Sequence, residues 1–128
     1  MNNSFKKHER LTSKKYFDAL FSHGNSVKSY PIRAVFLEFN ANNFQKSVDF
    51  PTNTQVAFAV PKRNFKRAVD RNRIKRMMRE VYRNNKISDQ KMALIFIFTG
   101  NKRPDFTSLE SAMLRILKQI QQNQSSAN

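Results

Sequence analysis

Cations carry the most specific chemistry in this chain. Between Lys66 and Arg83 the sequence reads KRAVDRNRIKRMMREVYR. At about 100° per residue, Asn72, Arg76, Arg79 and Arg83 follow one another along one side of a helix, flanked by Arg73 and Lys75. Ile74, Met77, Met78, Val81 and Tyr82 gather on the other side. A planar guanidinium pairs bidentately with phosphate oxygens, so this rail suits a polyanion better than an isolated carboxylate. Like charges at helical spacing repel, and only Asp70 and Glu80 are present to offset them. Asp70 falls in the first turn, where a carboxylate suits the helix dipole, and Glu80 is within reach of Arg76 or Arg83. A face carrying charge for solubility alone would mix the two signs.

Two aromatics come next. In KKYFDALFSH, Phe17 and Phe21 lie on one line of a helix and Tyr16 and Leu20 on the adjacent line. Spacing leaves two readings open: a core pair, or the border of an exposed groove where bases stack, with Tyr16 and Leu20 seating the helix. Catalytic groups are scarce. His8 and His23 are isolated, and no acid or nucleophile stands at a diagnostic spacing. Two glycines exclude a Gly-rich phosphate loop, and the lack of cysteine excludes disulfides and thiolate metal sites. The chain's own side chains are therefore expected to catalyse nothing.

The elements that must position these groups can be read from pattern. After an irregular arm over residues 1–11, Thr12 or Ser13 offers an N-cap and Gly24 a left-handed stop for the aromatic helix. PIRAVFLEF (31–39) and QVAFAV (55–60) have the composition of strands, and the Asn-rich segment between them reads as a long hairpin connection. Pro61 ends the second strand. The basic helix is expected from about Arg67 to Asn85. MALIFIF (92–98) is apolar without alternation, as in a strand covered on both faces. Thr107 to Glu110 forms a capping box before a helix carrying Leu109, Met113, Ile116, Leu117 and Ile120. Helix, strand, strand, helix, strand, helix is an α+β order.

Composition agrees with one basic domain. The 128 residues, 39% of them hydrophobic, suffice for a single core. Twenty-four Lys+Arg against nine Asp+Glu give a net charge of +15, the footprint of a nucleic-acid binder. Eleven of those cations and two of the acids fall between Lys62 and Lys86, which concentrates function in the middle of the chain. No long apolar run or signal-type N-terminus is visible, so no membrane partner is expected and the cytoplasm is the default. One domain is expected over 1–122, followed by a disordered tail over 123–128.

The segment AVPKRNFKRAVDRNRIKRMMRE resembles the signature of the bacterial ribonuclease P protein subunit. That signature is a strand ending in a basic pair, a short link, and an A-V-x-R-N-R-x-K-R helix. Lys62 and Arg63 match the pair, and Ala68 to Arg76 fill the helix pattern. RLTSKKYFDALFSHGNSV is similar to the family's first helix, with its phenylalanine pair and closing glycine. The resemblance runs from about Arg10 to Ile120. Two departures stand out: Pro61, where a small polar residue is common, and Phe65-Lys66 in place of a glycine before the helix.

The resemblance implies an α+β fold, a single-domain α/β sandwich with a mostly antiparallel four-stranded sheet and three helices. It also implies a left-handed βαβ crossover, which the usual right-handed rule would not suggest. The fourth strand is expected around Phe44 to Val48. Family members are small subunits of a ribonucleoprotein endonuclease that removes the 5′ leader of precursor tRNA. The RNA subunit carries the active site and its magnesium ions, with one protein per RNA. Carried over by position, Arg67, Arg71, Asn72, Arg73, Lys75, Arg76 and Arg79 would meet the catalytic RNA. Phe17, Phe21, Lys62 and Arg63 would border the leader groove. The family's first-strand aromatic falls on Val35 or Phe36, with Phe36 favoured. A structural ribosomal or general RNA-binding protein fits the charge equally well, and the single-strand groove discriminates against it. A free-standing nuclease would need a carboxylate or histidine cluster.

Overall fold

The computed structural model of the chain describes residues 7–44, 51, 53–87 and 90–126. In chain order, α1 spans Lys14–His23, β1 Asn25–Ser29, β2 Ile32–Glu38 and α2 Ala41–Phe44. Then follow β3 Gln55–Ala59, α3 Ala68–Arg83, β4 Met92–Phe98 and α4 Phe106–Ser126. A short 3₁₀ turn, Lys7–Glu9, precedes α1.

The strands form one sheet in the order β1-β2-β4-β3. β1–β2 and β2–β4 pair antiparallel, whereas β3–β4 pair parallel across the α3 crossover. The sheet is therefore mixed. Side-chain alternation divides the core in two. Ile32, Ala34, Phe36, Val56, Leu94, Phe96 and Phe98 face α3 and α4. Val35, Leu37, Ala93 and Ile95 face the other way, beneath Leu20 of α1.

Several expectations are corrected. The segments 31–39 and 55–60 do not pair as a hairpin, because β4 lies between them. Burial explains the order. β4 is apolar on both faces and takes the position covered on both sides, whereas half-buried Ala57 and Ala59 suit β3 to an edge. The fourth strand is β1, a polar segment with one buried side chain, Val27. Phe44 instead closes α2, and residues 45–48 lie outside the described residues.

The helix ends also differ in detail. Gly24 ends α1 with φ −69°, not in the left-handed region. Glycine is required there by close approach, since a Cβ would stand 2.3 Å from the Leu20 carbonyl oxygen and 2.7 Å from Val35 Cγ1. Ser13 occupies the N-cap position of α1 without a side-chain capping bond. α4 starts before the expected capping box. Asp105 Oδ2 accepts the Ser108 N–H at 3.2 Å, and its carbonyl accepts the Leu109 N–H at 3.1 Å. α4 also continues to Ser126, through part of the stretch expected as a disordered tail. No Gly or Pro interrupts it there, and glutamine tolerates helix well. Among the described residues, no helix is long and apolar enough to cross a membrane.

Candidate nucleic-acid interface

α3 is built as the spacing requires. Ile74, Met78, Val81 and Tyr82 are buried against the sheet and α4, with Met77 half-buried beside them. Asn72, Arg73 and Arg76 are exposed and Lys75 is half-buried. The remaining cations divide into distinct roles. Arg67, at the N-cap, donates to Asp70 from Nε at 3.0 Å and Nη2 at 3.3 Å. Arg103 approaches the same carboxylate at 3.2 Å. The Arg67 hydrogen bonds, reinforced by these positive charges, hold the Asp70 carboxyl below the usual range. Glu80 pairs with Arg83, and that contact lowers the Glu80 carboxyl likewise.

Arg71 turns back toward the chain instead of outward. Its Nη1 donates to the Phe65 carbonyl at 2.7 Å and to the Lys66 carbonyl at 2.8 Å. Phe65 is buried, its ring 5.8 Å from that of Phe98. The link that lacks the family's glycine is thus fixed from both ends, by an apolar anchor and a guanidinium clamp. Helical spacing gives no sign of this, because the partners are carbonyls of the preceding link.

Arg79 is the half-buried member of the rail. Its guanidinium lies 5.9 Å from the Phe58 ring centroid, a cation–π distance. Burial pushes its pKa below the ordinary value, with the charges of Arg10 and Arg76 adding to the effect. Arg10, Leu11, Phe58 and Arg79 line a cavity of about 430 Å³ at the β3 edge. Arg10 and Phe58 are thereby placed beside the rail. Sequence reasoning missed both, although a lone arginine just before the first helix was a visible cue. The arm is tied down here, since Arg10 bridges Val56 and the Leu11 N–H donates to the Val56 carbonyl at 2.9 Å.

A second surface lies on the α1 side of the sheet. Tyr16 packs on Phe39 and Phe44 with ring centroids 5.1 and 5.3 Å away, and Leu20 is fully buried. These two seat the helix. Phe17 is half-buried beside the core, and Phe21 is 58% exposed. α1 lies over β2 and β4. Ala57 and Ala59 of β3 and Ile97 of β4 face the same side and stay half-buried, leaving an apolar strip. Lys62 and Arg63 are exposed in the turn that follows β3.

Phe36 does not belong to this strip. It is 1% exposed and faces α3 and α4, because its strand partner Leu94 points into that core. Val35 has the correct face but is also buried. The half-buried β2 side chain on this face is Arg33, opposite Ile97, whose Nε donates to Ser26 Oγ at 3.1 Å.

A basic helix and an open apolar strip on a small α+β sandwich define an RNA-binding protein. The Ribonuclease P family model matches residues 5–121. The ribonuclease P protein component of Chlorobium phaeobacteroides is 31% identical over 133 residues, covering 92% of this chain and 88% of that one. That of Porphyromonas gingivalis is 30% identical over 125 residues, covering 91% and 86%. Among solved structures, the Thermotoga maritima RNase P protein superimposes with a TM-score of 0.67 at 23% identity, covering 87% of this chain and 96% of that one. A Staphylococcus aureus RNase P protein mutant gives 0.73 at 21% identity, covering 90% of each chain. The chain belongs to the ribonuclease P protein family. Its setting is therefore tRNA processing, as the protein component of an endoribonuclease.

Proposed function

We propose that this chain binds the catalytic RNA of ribonuclease P along α3 and the 5′ leader of precursor tRNA on the strip between α1 and β3. The observation that carries this reading is the division of cations on α3. Arg67, Arg71 and Arg83 are engaged within the protein. The side chains of Asn72, Arg73, Lys75 and Arg76 make no hydrogen bond or ion pair among the described residues and are available to phosphates. RNA phosphates then replace the missing acids, and counterion release drives association.

Phe17 and Phe21 supply stacking surfaces for unpaired leader bases, and Lys62 and Arg63 lie at the end of the strand that floors the strip. Among the described residues, no group of three or more His, Asp or Glu side chains is placed to hold a metal ion. In this reading magnesium belongs to the RNA. The protein holds the leader, and orientation of this kind supplies large rate factors without a protein group in the reaction. The setting proposed is a cytoplasmic ribonucleoprotein with one protein per RNA.

The test is cleavage of a precursor tRNA at low magnesium with protein alone, catalytic RNA alone, and both. Cleavage at the mature 5′ end that requires both supports the proposal. Cleavage by protein alone, or no stimulation of a bacterial catalytic RNA, overturns it.

A further inference from the structure

At the end of the sheet where β1 turns into β2 and β4 departs, a cavity of about 530 Å³ opens against the first turns of α4. Tyr30, Pro31 and Pro104 supply apolar surface to its lining. Tyr30 is 74% exposed, an unusual position for a large ring without a partner to cover it. Lys102, Arg103 and Arg115 supply three cations, and no carboxylate lines the cavity. Arg115 Nε donates to Ser29 Oγ at 3.0 Å, which fixes that guanidinium across the end of β1. Its volume falls in the range of small-ligand sites.

An exposed ring beside fixed cations is the combination that holds an unpaired nucleotide, with the base stacked and the phosphate paired. Position indicates which RNA supplies it. Arg103 is paired with Asp70 in the first turn of α3, and Asp70 is shared with Arg67 at the start of the rail. One cation of the cavity lining is thus tied to the first turn of α3. Phe98, in its lining, faces the α3 and α4 side of the sheet, opposite to the apolar strip.

We infer that this cavity receives one unpaired nucleotide of the same catalytic RNA that lies along α3, its base on Tyr30 and its phosphate between Lys102 and Arg115. The inference rests on the proposed assembly with that RNA. Its test uses the full chain and a labelled bacterial ribonuclease P catalytic RNA, measuring affinity against salt together with a backbone-cleavage footprint. Tyr30→Ala weakens binding roughly five- to tenfold and erases one protected patch, whereas Tyr30→Phe, which keeps the ring, binds as the unaltered protein does. The Lys102→Ala/Arg115→Ala pair lowers the log–log salt slope by roughly 1.4–1.8. Circular dichroism of each variant matches that of the parent, as these side chains are exposed.

Unchanged affinity and footprint in the cavity variants, with Arg76→Ala still weakening binding, would overturn the cavity site and leave the α3 interface standing. Failure of the unaltered protein to bind the RNA would overturn both. A defect seen only with leader-bearing precursor tRNA would overturn the assignment to the catalytic RNA.

Discussion

Arg71 and Arg76 belong to one sequence pattern but do different work. Arg71 clamps two carbonyls of the link before α3, while Arg76 faces outward. Arg71→Ala is expected to lower unfolding free energy in urea by about 1.5–3 kcal/mol, the range for hydrogen bonds to charged groups. Arg76→Ala leaves stability within about 0.5 kcal/mol. In RNA binding the ranking reverses in kind. Arg73→Ala and Arg76→Ala each reduce the log–log salt slope by roughly 0.7–0.9, and unchanged slopes would remove them from the interface. The two phenylalanines contrast similarly. Phe36→Ala costs about 3–5 kcal/mol of stability because it empties a core site. Phe17→Ala instead weakens binding of leader-bearing precursor tRNA by about 1–3 kcal/mol and leaves a folded protein. The motif made the cations visible, but which of them turn inward depends on carbonyls that spacing does not register.

Among the elements, α3 and β4 were legible because each carries a strong one-dimensional signal. α3 has an apolar face at helical period, and β4 is apolar at every position. β1 was not legible, since NSVKS buries one side chain and forms an edge through backbone pairing that any sequence can supply. The strand order was not legible either. Proximity in sequence favours a hairpin, but the demand for cover on both faces of β4 places it between β2 and β3. Gly24 was identified correctly as the end of α1, for the wrong reason. Its requirement is room beneath the Leu20 carbonyl, not a positive φ. Gly24→Ala is therefore expected to destabilise by about 1–3 kcal/mol through forced displacement of α1 from Val35. A thermal midpoint equal to that of the parent would show that α1 lifts without cost.

For the molecule as a whole, Tyr82 ties the layers together. Its ring lies 6.3 Å from Phe58 on β3 and 6.1 Å from Phe96 on β4, and its hydroxyl oxygen lies 3.4 Å from the Ile87 N–H. Burial raises the Tyr82 phenol from 10.0 to about 12. The folded state thus favours the protonated form. The contribution is fully present below the unfolded value and is lost as pH rises from 10.0 through about 12. Its size is roughly 2–3 kcal/mol. Alkaline urea titrations of the parent and Tyr82→Phe check this, as the difference in stability between them should change across that window and stay flat below it.

The place of β4 in the sheet also sets the order of construction. β2 and β3 are both complete in sequence by Ala59, yet they touch only through a strand that ends at Phe98. During synthesis from the N-terminus, the β1–β2 hairpin can form early, but β3 has no sheet to join until the last third of the chain emerges. The basic helix is made inside that waiting interval. A nascent chain paused before Met92 would thus display the cations of α3 with no β4 beneath them.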